Sequence, residues 1–435
     1  MESIDSGIFK LASVGSYLDA LSSITHEMSL IERSNLIFLD KCLHQQWGLG
    51  QNVLLNWCQH EDGIALLVVP HYAVADFAAR APDPEAALVP NGAEGGETAR
   101  TRPSEDFFKS LLSGRRRLDP DQMSKVARLL RIEITYLPLR QPIADNAAQQ
   151  RIVEKMIKRY SITYVPSRAV ALFDIVGFSL LSPFEQMTQL NSLSYSLNSA
   201  QHKLLSKKIG IDFARSTTGD GFYIWNRDLT LEANINLFHF MHLALADNAI
   251  ARSKARQNTV PRMRACFHVG GSYEFHQAEG LNPTLYNYIV GDVTVGLARM
   301  IERTLPDQIL VGEFAAQMPA SGDGEAVGPV TLDSIDFVAR AARSVEQLTG
   351  VELSGDRVER IKCYLTGTRL DNGKFTVRRI ITSDKHGIAR CVYNAKANIY
   401  RRNAAPILLG IEDRLVGVSD AHRNRSEHLL RPLSA

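Results

Sequence analysis

Two acidic residues set against glycine constrain this chain more than any other feature. Asp174 lies in Phe173-Asp174-Ile175-Val176-Gly177-Phe178-Ser179, and Asp220 in Thr218-Gly219-Asp220-Gly221-Phe222-Tyr223. Residues 169–175 (AVALFDI) are almost continuously apolar, the pattern of a strand covered on both faces. An aspartate at the end of such a strand sheds most of its hydration, and a lone carboxylate there either pays heavily or takes up a proton. Phe222-Tyr223-Ile224-Trp225 has the same character after Asp220. Two such aspartates, 46 residues apart, make sense if they converge on a shared cation. The alternative is two unrelated buried acids, since an Asp-Gly pair by itself is usually a turn.

The remaining composition narrows the class. A length of 435 residues predicts two or three domains. With 45% hydrophobic and 22% charged residues, the chain reads as an ordinary soluble protein with a sizeable core. A formal charge of +2 gives no electrostatic case for nucleic acid or an anionic membrane as partner. The five cysteines are scattered without zinc-ligand spacing, which predicts reduced thiols in a cytosol. No apolar run is long enough to span a bilayer, and the start MESIDSGIFK lacks the pattern of a signal peptide, so the expected location is cytoplasmic.

Along the chain, residues 1–150 read as a mostly helical N-terminal extension containing one strand-like run, Gly63–Pro70. Residues 81–105 concentrate Pro, Gly, Ala and charge and read as a linker or mobile loop. A helical pair follows, split at Gly114-Arg115-Arg116-Arg117, where the arginines are expected at a solvated helix end, with an anion site as the alternative. A helix near 147–159 leads into the strand at 169. Ser182-Pro183-Phe184-Glu185 is a capping box with proline at the first helical position. Strands and helices then alternate to about 303, predicting an α+β sandwich with helices on one face of the sheet. Beyond 366 the hairpin-like pattern of residues 374–381 and 389–393 predicts a separate small β-rich module, 367–435.

F-x-D-I-x-G-F-S, then T-G-D-G, then G-D-V-T-V-G-L-A-R about seventy residues on, resembles the catalytic domain of class III nucleotidyl cyclases over roughly residues 160–366. The resemblance implies that family's fold: a ferredoxin-like, palm-like, antiparallel-rich sheet with helices. It implies conversion of a nucleoside triphosphate to a 3′,5′-cyclic monophosphate and pyrophosphate, with two divalent cations, Mn²⁺ or Mg²⁺, as cofactors. Asp174 and Asp220 would be the metal carboxylates, with the backbone carbonyl of Ile175 as a further ligand. The amides of Val176, Gly177 and Phe178 would cradle the β- and γ-phosphates, where a side chain at Gly177 would block the approach. Arg299 matches the transition-state arginine; read in isolation, it is an ordinary helix-surface arginine. The family also implies a head-to-tail homodimer whose sites draw on both subunits.

Three departures refine the resemblance. Adenylyl cyclases of the class select their base with a lysine four residues before the second aspartate and an aspartate three before the third motif; guanylyl cyclases use glutamate and cysteine. Here those positions hold Ser216 and Tyr288. Tyr288 could fill the volume left by a smaller base, and Ser216 with Arg215 could hydrogen-bond a pyrimidine edge, although Arg215 could equally face solvent. The pattern resembles the bacterial pyrimidine cyclases of anti-phage Pycsar systems, which implies UTP, ahead of CTP, as substrate and a cyclic-nucleotide-responsive effector acting through the product. The family's usual asparagine is replaced by Val295, beside Thr294, which could take over its ribose or phosphate contact. An adenylyl or guanylyl cyclase with unusual base contacts and a catalytically inactive nucleotide sensor are the alternative readings. A diguanylate cyclase would need a G-G-[DE]-E-F signature, which is absent. His268 reads as a core histidine, and His239 with His242 lacks a third zinc ligand. In the tail, Asp384-Lys385-His386-Gly387 and Asn394-x-Lys396 resemble a sensor-like module, or form only a tight turn.

Overall fold

The computed structural model describes residues 28–78, 105–278, 285–320, 328–367, 370, 376–383 and 387–412. The expected linker therefore falls almost wholly outside the described residues, as does most of the Asp384–Gly387 turn. The chain divides into two units, Met1–Val165 with Tyr273–Ile289, and Pro166–Ser272 with Val290–Ala435.

In the first unit, helix α1 (Leu30–Trp47) opens on a capping box, Ser29 with Glu32, and ends at Gly48 in the left-handed conformation. Strands β1 (Asn52–His60) and β2 (Gly63–Pro70) form a hairpin, and the sheet is completed further along the chain. Helices α2 (His71–Ala78), α3 (Glu105–Ser113) and α4 (Pro120–Leu130) follow, then β3 (Ile134–Pro138), which pairs with β2, and α5 (Ala147–Arg159). The three-stranded sheet goes beyond the single strand-like run legible in residues 1–150. Of the arginine triplet, Arg115 is exposed and Arg117 partly so, as expected past a solvated helix end, but Arg116 is not. Arg116 is fully buried, and its guanidinium donates to the carbonyls of Leu111 (2.5 Å), Leu112 (2.8 Å) and Ile162 (2.7 Å). Its backbone N–H meets the Glu154 carboxylate at 2.8 Å. It satisfies orphaned carbonyls at the end of α3, a role that no local sequence signal announces. Burial pushes its pKa down to about 10, so the group stays charged at neutral pH.

The chain enters the second unit through β4 (Ile162–Ile175), followed by α6 (Pro183–Ser206), the hairpin β5 (Phe213–Thr217) and β6 (Gly221–Asn226), and α7 (Leu231–Lys254). Strands β7 (Met263–Ala278) and β8 (Leu285–Val290) lead to α8 (Asp292–Ile301). Then come β9 (Ile309–Gly312), β10 (Ala315–Met318), β11 (Val330–Asp333), α9 (Ser334–Ser344), β12 (Glu352–Leu353), β13 (Asp356–Leu365), β14 (Arg379–Ser383), β15 (Ala389–Arg401) and β16 (Ile407–Leu409). The main sheet runs β12-β13-β15-β9-β7-β4-β6-β5. Its described pairings are antiparallel except for β7 beside β9, so the architecture is α+β with an antiparallel-rich sheet.

The core lies on one face of this sheet. Ala171 and Phe173 of β4, and Ala265 and Phe267 of β7, pack with Leu193 and Leu197 of α6, Phe238 and Phe240 of α7, and Phe337 of α9. Because side chains alternate along a strand, Leu172, Asp174, Arg264 and Cys266 point to the opposite face. That face meets α8: the Tyr223 hydroxyl donates to the Thr294 carbonyl at 3.3 Å, and Gly296 lies against His268. The helices are thus not confined to one face. Val293, Leu297 and Met300, at 0, 0 and 2% exposure, give α8 an apolar stripe that has to be covered.

Nor do residues 367–435 stand apart where they are described. β15 lies between β13 and β9, with Asn394 opposite Leu310 and Cys363 opposite Ala397. Val392, Ala395, Ala397 and Ile399 are buried, which a free-standing hairpin could not achieve. Asn394 is fully buried; its amide donates to Thr366 Oγ1 (2.6 Å) and the Ile411 carbonyl (3.0 Å) and accepts from Gln308 (3.0 Å). Among the described residues no helix is long and apolar enough to cross a membrane.

Candidate active site

Two adjacent strands bring the glycine-flanked aspartates together. Asp174 pairs in register with Gly221, and the Ile175 amide donates to the Asp220 carbonyl at 3.0 Å. The approach is so close that a Cβ at Gly221 would run into the Phe173 carbonyl, so the sheet can only be drawn this tight over glycine. Gly219 turns the hairpin with φ 98°. Thr218 Oγ1 donates to an Asp220 carboxylate oxygen at 3.2 Å, and Thr217 Oγ1 accepts from the Gly219 amide at 3.0 Å.

Asp174 is 5% exposed. Burial pushes its carboxyl above the usual range, and the charge and contact of Asp220 push it the same way. Arg264 opposes both, its Nε lying 2.5 Å from Asp174 Oδ2. Two carboxylates in contact, one of them buried, form a hard-oxygen donor set that suits Mg²⁺ or Mn²⁺ and that a divalent cation would relieve of repulsion.

The segment after Asp174 is already partly engaged. Val176 donates its amide to the Arg262 carbonyl at 2.9 Å. Gly177 has φ 71° and opens a single 3-10 turn, Phe178–Leu180. A Cβ there would meet nothing nearer than Leu180 at 3.9 Å, so the observed requirement for glycine is the left-handed backbone, not a crowded space. Ile175 is buried beside Asp174.

Arg215 and Ser216 part to opposite faces of the sheet. They are neighbours on β5, paired with Ile224 and Tyr223 respectively. Ser216 therefore shares the Asp174 face with Tyr223. Arg215 points to the opposite face, lies 5.7 Å over the Phe222 ring and donates to Ser194 Oγ of α6 at 3.4 Å. Tyr288, on β8 in the first unit, is 38% exposed and stacks on Phe275 at 5.8 Å.

On α8, Thr294 is buried and its hydroxyl donates back to the Gly291 carbonyl at 2.9 Å. Val295 is 43% exposed, and half-buried Arg299 follows one turn later, away from the stripe of Val293, Leu297 and Met300.

The histidines belong to the packing. His268 is walled in by Gly312, Gly296 and Phe314, and burial pushes its pKa down to about 4. His239 and His242 bond the carbonyls of Ala341 (3.0 Å) and Phe238 (2.9 Å), with pKa values pushed by burial to about 4 and about 3. Arg264 is the site residue that reading the sequence missed. The cost of burying Asp174 implied a nearby cation, but a partner 90 residues away leaves no local pattern.

No family model and no curated protein matches the chain. Among solved structures it is similar to the guanylate cyclase domain of RhGC from Catenaria anguillulae in complex with GTP, at 13% identity and a TM-score of 0.30, covering 55% of this chain and 100% of that one. It is also similar to the guanylyl cyclase Cya2 (14%, 0.30, covering 53% and 92%). A third similar structure is the adenylyl cyclase CyaB from P. aeruginosa (12%, 0.25, covering 40% and 94%).

Proposed function

We propose that the second unit carries the catalytic centre of a nucleotide cyclase acting on a pyrimidine nucleoside triphosphate, UTP ahead of CTP. The observation that carries this reading is the meeting of Asp174 and Asp220 at the ends of adjacent strands, Asp174 in register with Gly221 and Asp220 directly after Gly219, which is held at positive φ. In the reaction the ribose 3′ oxygen bonds to the α-phosphorus, the bond to the β-phosphate oxygen breaks, and pyrophosphate leaves as the 3′ proton is released.

Asp174 and Asp220, with the Ile175 carbonyl, would hold two divalent cations, Mn²⁺ or Mg²⁺, whose Lewis acidity lowers the barrier at the 3′ oxygen and the triphosphate. The amides of Gly177 and Phe178 would bind phosphate oxygens, with that of Val176 joining them on release from Arg262. Arg299 would neutralise charge that grows in the transition state. Its place on the outward side of α8, with Val295, supports service to the site of a second copy in a head-to-tail homodimer.

Ser216, on the Asp174 face, supports base recognition through a small hydrogen-bonding group; Arg215, on the other face, would support the strand from behind. Thr294, whose hydroxyl is held by Gly291, would position α8 through its carbonyl bond to Tyr223. The absence of the lysine or glutamate that selects purines, with serine in its place, favours pyrimidine. The product would act as a second messenger on a separate effector in anti-phage defence.

Asp220→Asn tests the assignment at the bond being broken. Pyrophosphate release from UTP with Mn²⁺ should fall to background, while the circular dichroism spectrum is unchanged. Release at the wild-type rate would remove Asp220 from the mechanism.

A further inference from the structure

Arg264 makes two directional contacts that reach beyond charge neutralisation. It is the second residue of β7 and stands on the Asp174 face. Its Nε donates to Asp174 Oδ2 at 2.5 Å, and its Nη1 donates to the Thr304 carbonyl at 3.1 Å. Thr304 lies just past α8; its hydroxyl donates to the Met300 carbonyl at 2.8 Å, and the Cys266 thiol meets it at 3.2 Å. The guanidinium therefore joins the buried carboxylate to the end of the helix that bears Arg299.

We propose that Arg264 is a positioning residue of the catalytic centre. One prong fixes a single oxygen of Asp174, leaving the other to share a cation with Asp220, and the second prong holds the carboxylate in step with α8. This rests on the reading of Asp174 and Asp220 as cation ligands. A carboxylate with one anchored oxygen cannot swing about its last torsion, so its orientation is set before a cation arrives. A lysine in the same place supplies equal charge but no rigid fork, and cannot hold two acceptors in fixed geometry.

The test uses the full-length chain and Mn²⁺ alone, with binding followed by the electron paramagnetic resonance signal of free Mn²⁺ at one fixed pH. Arg264→Lys keeps the charge, so a change in affinity reports lost orientation. Mn²⁺ should bind about tenfold more weakly than to the wild type, the scale expected for groups that orient metal ligands. Arg264→Gln should also weaken binding, against the electrostatic gain from removing a positive charge. Wild-type affinity in a folded Arg264→Lys chain would overturn the proposal. Loss of folding in both variants would overturn it too, since Arg264 would then serve the fold and not the site. Asp174→Asn separates the two layers: if it binds Mn²⁺ like the wild type, the cation reading itself fails, whatever Arg264 does.

Discussion

Asp174 sits where three energies meet: burial and the neighbouring Asp220 both disfavour its charge, and Arg264 opposes them without cancelling them. The first two were legible in the sequence, because an apolar strand ending in Asp and an Asp between glycines predict desolvated carboxylates. Their convergence needed the register that sets Asp174 opposite Gly221. Arg264 and Arg116 were not legible, since each earns its role from partners distant in sequence: Asp174 for one, Ile162 and Glu154 for the other. Arg215 and Ser216 show the limit at its sharpest. They are adjacent letters, yet strand alternation sends one to α6 and leaves the other on the Asp174 face. At this scale Arg299→Ala should cut cyclic product formation on the order of a thousandfold, the usual loss when a charge-stabilising group is removed. Initial-rate assays with UTP and Mn²⁺ would check it, and a loss under tenfold would place Arg299 outside the transition state.

Single elements were predicted best where a local signal closes them. The Ser182–Glu185 capping box does begin α6, with Pro183 at its first position. Strands of the tail were visible, but not their place in the sheet: β15 is recruited by β9 and β13 because its buried residues require neighbours on both edges. Helix α7 makes its own prediction. His239 and His242 are neutral in the fold, with pKa values of about 4 and about 3, and return to the ordinary value of 6.5 when the chain unfolds. Below about pH 6.5 the unfolded chain binds the extra protons, so stability is lost as pH falls toward the folded values. At full slope each group contributes about 1.4 kcal/mol per pH unit. Denaturant unfolding between pH 7 and pH 5 should show this decline, and His242→Gln should flatten it. An unchanged slope would mean that the ring is not buried neutral.

For the whole molecule, the α+β class follows from the alternation of strand and helix, while the division into two units and their ends do not: the length allowed two or three domains, and the texture suggested three. The second unit takes in residues from both sides of Tyr273–Ile289 and continues past 366, so contacts and not texture set its limits. The proposed head-to-tail dimer predicts complementation. Asp220→Asn and Arg299→Ala chains, each inactive alone, should recover about a quarter of wild-type activity when unfolded together, mixed equally and refolded, because each mixed dimer regains one intact site of two. No recovery, despite exchange shown by light scattering and a tagged copy, would place both residues in one chain's site.

The most direct measurement offers purified protein with Mn²⁺ each of UTP, CTP, ATP and GTP and identifies the product by mass spectrometry. The expected product is a 3′,5′-cyclic pyrimidine monophosphate with one pyrophosphate released per turnover, UTP ahead of CTP. Cyclic product from ATP or GTP alone, or none from any of the four, would contradict it.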